Sequence, residues 1–174
     1  GMRRAGVKTI LYASGSGVYG DLHTVELAES YGPMVPISTY GASKLAGEML
    51  ISSYCHMFDM VGRCFRFGNV VGARQTHGVG YDFVRSLIRN PTELRILGDG
   101  SQSKSYIHVD DIIAAVMTAH QHEPDRFAAY NVATGDYVTV HEIAQITMGV
   151  LGLNPSAVQL NYTGGDRGWK GDVP

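Results

Sequence analysis

The alternation of strand-like and helix-like segments restricts the fold of this chain more than any other feature of its sequence. Val7–Ala13 and Val61–Phe67 are short runs rich in β-branched and aromatic residues, each closed by small turn-forming residues, and they indicate buried strands. Between them, Ser38–Phe58 contains no proline and predicts a long helix with Ser38 as its N-cap. Strands separated by helices favour an α/β sheet that is largely parallel.

The second half of the chain continues this alternation with shorter segments. Further helices are predicted at Tyr81–Arg89, from Asp110 as N-cap to about His122, and at Val140–Leu151. A strand is predicted at Ala129–Ala133, and an extended segment at Val158–Tyr162. Leu94–Leu97 and Ser105–His108 lie on either side of a glycine-rich turn at 98–100, a pattern that predicts two short strands around that turn. The sequence contains no internal repeat, so we expect one α/β arrangement rather than an array.

Composition excludes several classes of protein. The chain has 14 lysines and arginines against 16 aspartates and glutamates, so it lacks the basic excess typical of proteins that bind nucleic acid or anionic membranes. No apolar run reaches the ~18 residues that a transmembrane helix needs. Cys55 and Cys64 have neither a metal-ligand spacing nor a disulfide framework, which indicates a reduced, cytoplasmic setting and no metal site.

Gly15, Gly17 and Gly20 have the G-x-G-x-x-G spacing after the first predicted strand, but their context argues against a dinucleotide-binding turn. Such a turn opens a helix whose N-terminus meets the pyrophosphate, whereas here residues 21–37 form a loop interrupted by prolines. An acidic residue is expected about 20 residues further on, and Tyr40 occupies that place. We therefore interpret these glycines as turn residues.

Tyr40 and Lys44 lie one helical turn apart near the start of the long predicted helix, so they project from the same face. An ammonium fixed beside a tyrosine favours the phenolate and suits the phenol to general acid/base chemistry. The Y-x-x-x-K spacing is also common on exposed helices, so its interpretation depends on the motifs around it.

Six segments follow one another along the chain: YASGSGVYGD, YGASK, RFGNVVGAR, LGDGSQSKSYIHVDD, YNVATG and DRGWKGDVP. Together they resemble the extended short-chain dehydrogenase/reductase family, specifically its NAD-dependent nucleotide-sugar epimerases and dehydratases. The resemblance implies the second half of a Rossmann-like, mainly parallel sheet plus a small α/β substrate-binding lobe. Residues 1–68 and roughly 102–135 would form the sheet part, and residues 69–101 and 136–174 would form the lobe.

The resemblance also implies roles for individual residues. Tyr40 would remove a proton from a sugar hydroxyl while hydride passes to the nicotinamide of NAD. Lys44 would assist the phenol and hold the nicotinamide ribose. The residues implied to bind the sugar and the diphosphate are Asn69, Arg74, Lys104 and Arg167.

The sequence departs from the family pattern at the strand end. The family's usual catalytic serine or threonine falls on Gly15, so the hydroxyl would come from Ser16, which we favour, or from Ser14. The same register puts Ser16 and Gly17 where sugar 4,6-dehydratases carry an acidic pair, and Gly17 where resembling decarboxylases carry a glutamate. Because an epimerase only removes and returns hydride, it depends least on these positions, and epimerisation is the expected chemistry.

Members of this family begin with a nucleotide-binding half, and this sequence starts at the strand that follows that half. We therefore expect a catalytic and substrate-binding portion that binds a nucleotide-diphosphate sugar, does not bind NAD in the usual way and is inactive alone. We also expect self-association, as a homodimer or otherwise, through the edge of Val7–Ala13 or through the long helix. Two alternatives stay open: a non-catalytic sugar-nucleotide binding or assembly module, and a reductase or dehydratase of the same family.

Overall fold

A computed structural model describes residues 1–22 and 27–165 of the chain. Its helices and strands are β1 (Thr9–Gly15), α1 (Thr39–Phe58), β2 (Val61–Phe67), β3 (Asn69–Val71), α2 (Val79–Arg89), β4 (Glu93–Ile96), β5 (Ser103–Lys104), β6 (Tyr106–His108), α3 (Val109–His122), β7 (Phe127–Val132), β8 (Val138–Thr139), α4 (Val140–Val150) and β9 (Gln159–Tyr162). The described residues form two compact units. The first contains Gly1–Val70 and Ile107–Thr134, and the second contains Val71–Tyr106 together with residues 135–165.

The first unit is built on a parallel three-stranded sheet with the order β1-β2-β7. Gly15 pairs with Phe67, and Phe67 pairs with Val132, so the three strands end at the same edge. Alternate residues of a strand point to opposite faces. On one face Phe65 joins a buried apolar cluster with Ile112 of α3, and the opposite face carries α1.

The long helix α1 begins one residue after Ser38, as the sequence predicts. The Ser38 hydroxyl accepts the backbone N–H of Gly41 at 3.0 Å, which satisfies one of the donors left free in the first helical turn. The helix ends at Phe58, and Asp59 adopts a left-handed conformation with φ 53° that turns the chain towards β2.

The second unit combines two short sheets with two helices. β4 pairs with β9 in parallel, and β5 pairs with β8 in an antiparallel ladder. Helices α2 and α4 pack against each other, and α4 begins with a capping box between Thr139 and Glu142. The buried apolar core of this unit consists of Phe83, Leu87, Leu94, Ile96, Ala144, Met148 and Val158.

The structure corrects two expectations about the middle of the chain. The two predicted strands are present as β4 and β6, but the hairpin that strands around the turn at 98–100 would form is absent, because β4 pairs with β9 and β6 pairs with β3. Leu94 is buried in the core of the second unit, whereas Ile107 is buried in the apolar cluster of the first unit. The predicted Asp110 N-cap is also wrong, since the His108 ring nitrogen Nδ1 accepts the Asp110 backbone N–H at 3.3 Å and Asp110 lies in the first turn.

Among the described residues, no helix is long and apolar enough to cross a membrane. Within residues 1–22 and 27–165, no group of three or more histidine, cysteine, aspartate or glutamate side chains is arranged to hold a metal ion.

Candidate active site

The first turn of α1 contacts the turn that follows β1 without any side chain between the two backbones. A Cβ atom on Gly41 would lie 2.4 Å from the carbonyl oxygen of Gly17, a distance that no side chain tolerates. Glycine at position 41 therefore lets the helix approach the strand end closely. This approach places the neighbouring residue, Tyr40, beside the end of β1.

The phenol of Tyr40 lies over the last residue of β1. Its hydroxyl oxygen and Cε1 atom are each 3.9 Å from the place that a Cβ atom on Gly15 would occupy. The side chain remains 59% exposed, so a ligand in solution can reach the hydroxyl. Open α/β sheets bind their ligands at the carboxyl ends of their parallel strands, and Tyr40 lies at such an end.

Lys44 provides a cation in a fixed position beside this phenol. Its Nζ atom donates a hydrogen bond to the backbone carbonyl of Ala13 at 2.8 Å. The same atom lies 5.4 Å from the centre of the Tyr40 ring and 5.3 Å from the centre of the Tyr12 ring. Burial raises the pKa of Tyr12 above its ordinary value. The ammonium is therefore held between an exposed phenol and a more buried one.

The two serines that flank Gly15 have different environments. Ser14 is 4% exposed, and its hydroxyl donates to the Glu48 carboxylate at 2.5 Å. Ser16 is exposed and begins the short turn Ser16–Val18 that follows β1. Of the two serines, Ser16 is therefore the one exposed to solvent at the end of β1.

A buried ion pair beneath this site was not found by the sequence analysis. Glu48 is fully buried, and the Arg66 guanidinium binds its carboxylate through Nε at 3.1 Å to each oxygen and through Nη2 at 2.7 Å. Burial acts to lower the pKa of Arg66, but its hydrogen bonds to Glu48 and Tyr19 outweigh burial, so the pKa is raised. An acidic residue one turn after Lys44 on α1 is the sequence signal that could have revealed it.

The remaining predicted site residues are distributed over both units. Asn69 is exposed at the start of β3, two residues after the Phe67 that pairs with Gly15, so it lies near the same sheet edge. In the second unit, Lys104 is half-buried on β5, and Arg74 is exposed with a left-handed φ of 68°. Arg167 lies outside the described residues. The structure thus brings Tyr40, Lys44 and the end of β1 together.

A parallel sheet, covered on one face by a helix whose Tyr-x-x-x-Lys pair lies at the carboxyl edge of the sheet, defines an α/β protein of the short-chain dehydrogenase/reductase type. The model of the NAD dependent epimerase/dehydratase family matches residues 1–133, which is most of the chain. The chain therefore belongs to this family of NAD-dependent nucleotide-sugar epimerases and dehydratases, as the sequence motifs predicted.

Individual relatives agree with this assignment. The UDP-glucose 4-epimerase of Mycolicibacterium smegmatis is 32% identical over 155 residues, which cover 86% of this chain and 49% of the relative. A crystal structure of a UDP-galactose 4-epimerase matches with a TM-score of 0.85 and 40% identity, over 99% of this chain and 54% of that one. The structure of MoeE5 in complex with UDP-glucose and NAD matches with a TM-score of 0.83 and 30% identity, over 99% and 56%.

These matches have two consequences. The chain spans about half the length of the relatives that it matches. The predicted fold class, part of a Rossmann-like and mainly parallel α/β structure, is confirmed.

Proposed function

We propose that this chain is the catalytic and substrate-binding portion of an NAD-dependent nucleotide-sugar epimerase that acts on a UDP-hexose. The observation that carries the proposal is the position of the Tyr40 hydroxyl over Gly15, with the Lys44 ammonium hydrogen-bonded to Ala13. The choice of UDP and of a hexose is supported by relatives named as UDP-glucose and UDP-galactose 4-epimerases.

In this proposal each residue has a proton-transfer or positioning role. Tyr40, as phenolate, accepts the proton of the reacting sugar hydroxyl and later returns it. The Lys44 ammonium stabilises the negative charge on the phenol oxygen. Ser16 donates a hydrogen bond to the reacting oxygen, and Asn69 orients the sugar and diphosphate from the same sheet edge.

The residues at the end of β1 fit the nicotinamide end of NAD. The Tyr40 phenol and the Lys44 ammonium lie together at this sheet edge, and Tyr40 is 59% exposed. Lys44 and Tyr40 would hold the nicotinamide ribose, and NAD, when bound, supplies a hydride acceptor and donor. Gly15 caps only the three-residue 3-10 turn Ser16–Val18, and in the described part of the chain no α-helix begins before Thr39, so Gly15, Gly17 and Gly20 do not form the usual pyrophosphate-binding turn.

The test compares the chain alone with the chain fused to the N-terminal half of the 40%-identical UDP-galactose 4-epimerase. We expect the chain alone to bind UDP-glucose in calorimetry without turnover, and the fusion to interconvert UDP-glucose and UDP-galactose when NAD is present. Tyr40→Phe should then remove at least ~99% of the rate, which is the lower end of what a general acid/base contributes. Tyr54→Phe, the same change on the exposed side of α1, serves as the control. A Tyr40→Phe fusion as fast as the unchanged fusion refutes the role of Tyr40.

A second candidate function is a non-catalytic module that binds sugar nucleotides. It is favoured by Gly15, which provides no hydroxyl at the position where the family pattern places one. A fusion that binds both UDP-glucose and NAD but has no turnover would support this module. A dehydratase is the less favoured chemistry, because Ser16 and Gly17 supply no acid or base for elimination, while a reductase of the same family stays an alternative.

We propose in addition that the chain self-associates, with a second copy covering the outer face of α1. Exposed apolar side chains follow one another along this helix: Met49, Leu50, Tyr54 and Met57. In the part of the chain that the structure describes, β1 pairs only with β2, so its outer edge is a second surface for association. Leu50→Glu should lower the sedimentation-derived mass, whereas Ile113→Glu on α3 should not. A monomeric wild-type chain at high concentration contradicts this proposal.

A further inference from the structure

Three successive turns of α1 contact three consecutive residues at the end of β1. Tyr40 lies beside Gly15, Lys44 donates to the carbonyl of Ala13, and Glu48 accepts the hydroxyl of Ser14. The spacing of four residues places all three side chains on one face of the helix. The contact made by Glu48 is the most buried of the three.

Glu48 joins more than the helix and one strand. Ser14 pairs with Arg66 across the β1–β2 ladder, and both side chains meet the Glu48 carboxylate. Through this carboxylate α1, β1 and β2 are connected at a single buried point. The end of β1 is therefore fixed in two directions, towards the helix and towards the neighbouring strand.

The connections continue from Arg66 to the turn after β1 and to β7. Arg66 donates to the Tyr19 hydroxyl at 2.7 Å and to the backbone carbonyl of Glu29 at 2.9 Å. The Tyr19 hydroxyl in turn donates to Asn131 at 2.7 Å. The network thus links β1, β2, β7 and the turn that carries Ser16.

A role in stability alone does not explain this network well. A buried ion pair gains little over well-packed apolar side chains of the same volume, because the desolvation of both charges offsets their attraction. What such a pair does provide is a defined geometry, since several hydrogen bonds from Arg66 and Ser14 converge on the Glu48 carboxylate. At this location that geometry is the position of the strand end on which Tyr40 and Lys44 depend.

We propose that Glu48 is a positioning residue for the catalytic pair: it holds Ser14, and with it the end of β1, so that Lys44 stays on Ala13 and the Tyr40 hydroxyl stays over Gly15. Glu48 itself is fully buried and does not contact the substrate. The effect of Glu48 on catalysis rests on the proposed function, but its effect on the position of the Tyr40 ring can be measured without turnover.

The first test follows the tyrosine rings of the 174-residue chain by NMR, with Tyr40→Phe used to assign the Tyr40 signals. Ser14→Ala removes the hydroxyl bond while leaving the pair between Glu48 and Arg66 intact, so this variant should fold. Glu48→Gln keeps the volume of the side chain and removes its charge. We expect Tyr40 ring signals to shift in both variants but not in Asp59→Asn, which breaks an exposed ion pair with Arg126.

The second test measures turnover in the fusion described above. Glu48→Gln should lower kcat at least tenfold with less than a twofold change in KM, because the substrate does not touch residue 48. Folded Ser14→Ala and Glu48→Gln variants with unmoved Tyr40 signals and unchanged kcat overturn the positioning role. If Tyr40→Phe retains activity, the proposed function fails, and the ring signals still decide the positioning role by themselves.

Discussion

Replacing Gly15 with serine adds a hydroxyl at the place where the family pattern has one. Gly15 has φ −164° and ψ 162°, an extended conformation that any residue adopts. The new Cβ atom would lie 3.9 Å from the Tyr40 ring and hydroxyl and 4.0 Å from the Phe67 carbonyl oxygen, all ordinary van der Waals distances. The serine hydroxyl extends one bond beyond Cβ, so it can reach hydrogen-bonding distance of the Tyr40 oxygen.

Two magnitudes follow from this geometry. Glycine within a strand is less stable than alanine by roughly 0.5–1 kcal/mol, because it loses more backbone freedom on folding. For a chain of this length 1 kcal/mol corresponds to about 2–4 °C in Tm, so we expect Gly15→Ser to raise Tm by about 1–4 °C. A net hydrogen bond of about 0.5–1.5 kcal/mol that the serine makes to the reacting oxygen in the transition state would raise kcat of the fusion about two- to tenfold.

Gly15→Ala separates these two effects, because it adds the same Cβ atom without the hydroxyl. Thermal unfolding should show the same rise in Tm for both variants, and only Gly15→Ser should show the faster turnover. A fall in Tm of more than about 5 °C in both variants would mean that a side chain at position 15 collides with its surroundings. The position assigned to the Tyr40 phenol would then be wrong.

Three further outcomes are expected. Glu48→Ala should lower the free energy of unfolding, measured in urea, by about 3–5 kcal/mol, because it leaves the buried Arg66 unpaired. Asp59→Asn, which removes an exposed ion pair, should change it by no more than about 1 kcal/mol. Equal effects would contradict the burial of the pair between Glu48 and Arg66. Burial raises the pKa of Cys64 to about 12, so neither Cys64 nor the buried Cys55 should react with a thiol reagent at pH 8 until the chain unfolds, and rapid labelling of the native chain would refute this. Hydrogen bonds from Thr139 hold the pKa of the Glu142 carboxyl in the folded chain below its ordinary value of 4.5. The stabilisation that the Glu142 carboxylate gives is therefore complete above pH 4.5, and it is lost as the pH falls through the pKa of the folded state. Glu142→Gln should therefore flatten the dependence of Tm on pH below 4.5, and an unchanged dependence would exclude the cap as its source.

Local sequence signals predicted the parts of the fold that depend on neighbouring residues. The bounds of α1 follow from a serine cap and a proline-free run, and β2 was predicted at Val61–Phe67, where the structure has it. The proximity of Tyr40 and Lys44 follows from the helical period alone.

Features that depend on distant residues were not predictable in this way. The partner of β4 is β9, and nothing near Leu94 in the sequence indicates a strand that begins at Gln159. Histidine is not among the preferred N-cap residues, so the cap at His108 was assigned to Asp110 instead. The pair between Glu48 and Arg66 joins a helix to a strand, and only the packing of α1 on the sheet brings the two charges together.

The contact between Gly41 and Gly17 sets a limit on how this protein can change over evolutionary time. Since the two main chains touch directly, even the smallest replacement at position 41 would wedge the helix start away from the turn and carry the phenol with it. A saturation library at position 41 should consequently return glycine alone among functional clones, while the exposed positions Ala46 and Ser53 of α1 accept many substitutions. The position of the Tyr40 phenol thus depends on the absence of a Cβ atom at the neighbouring residue 41.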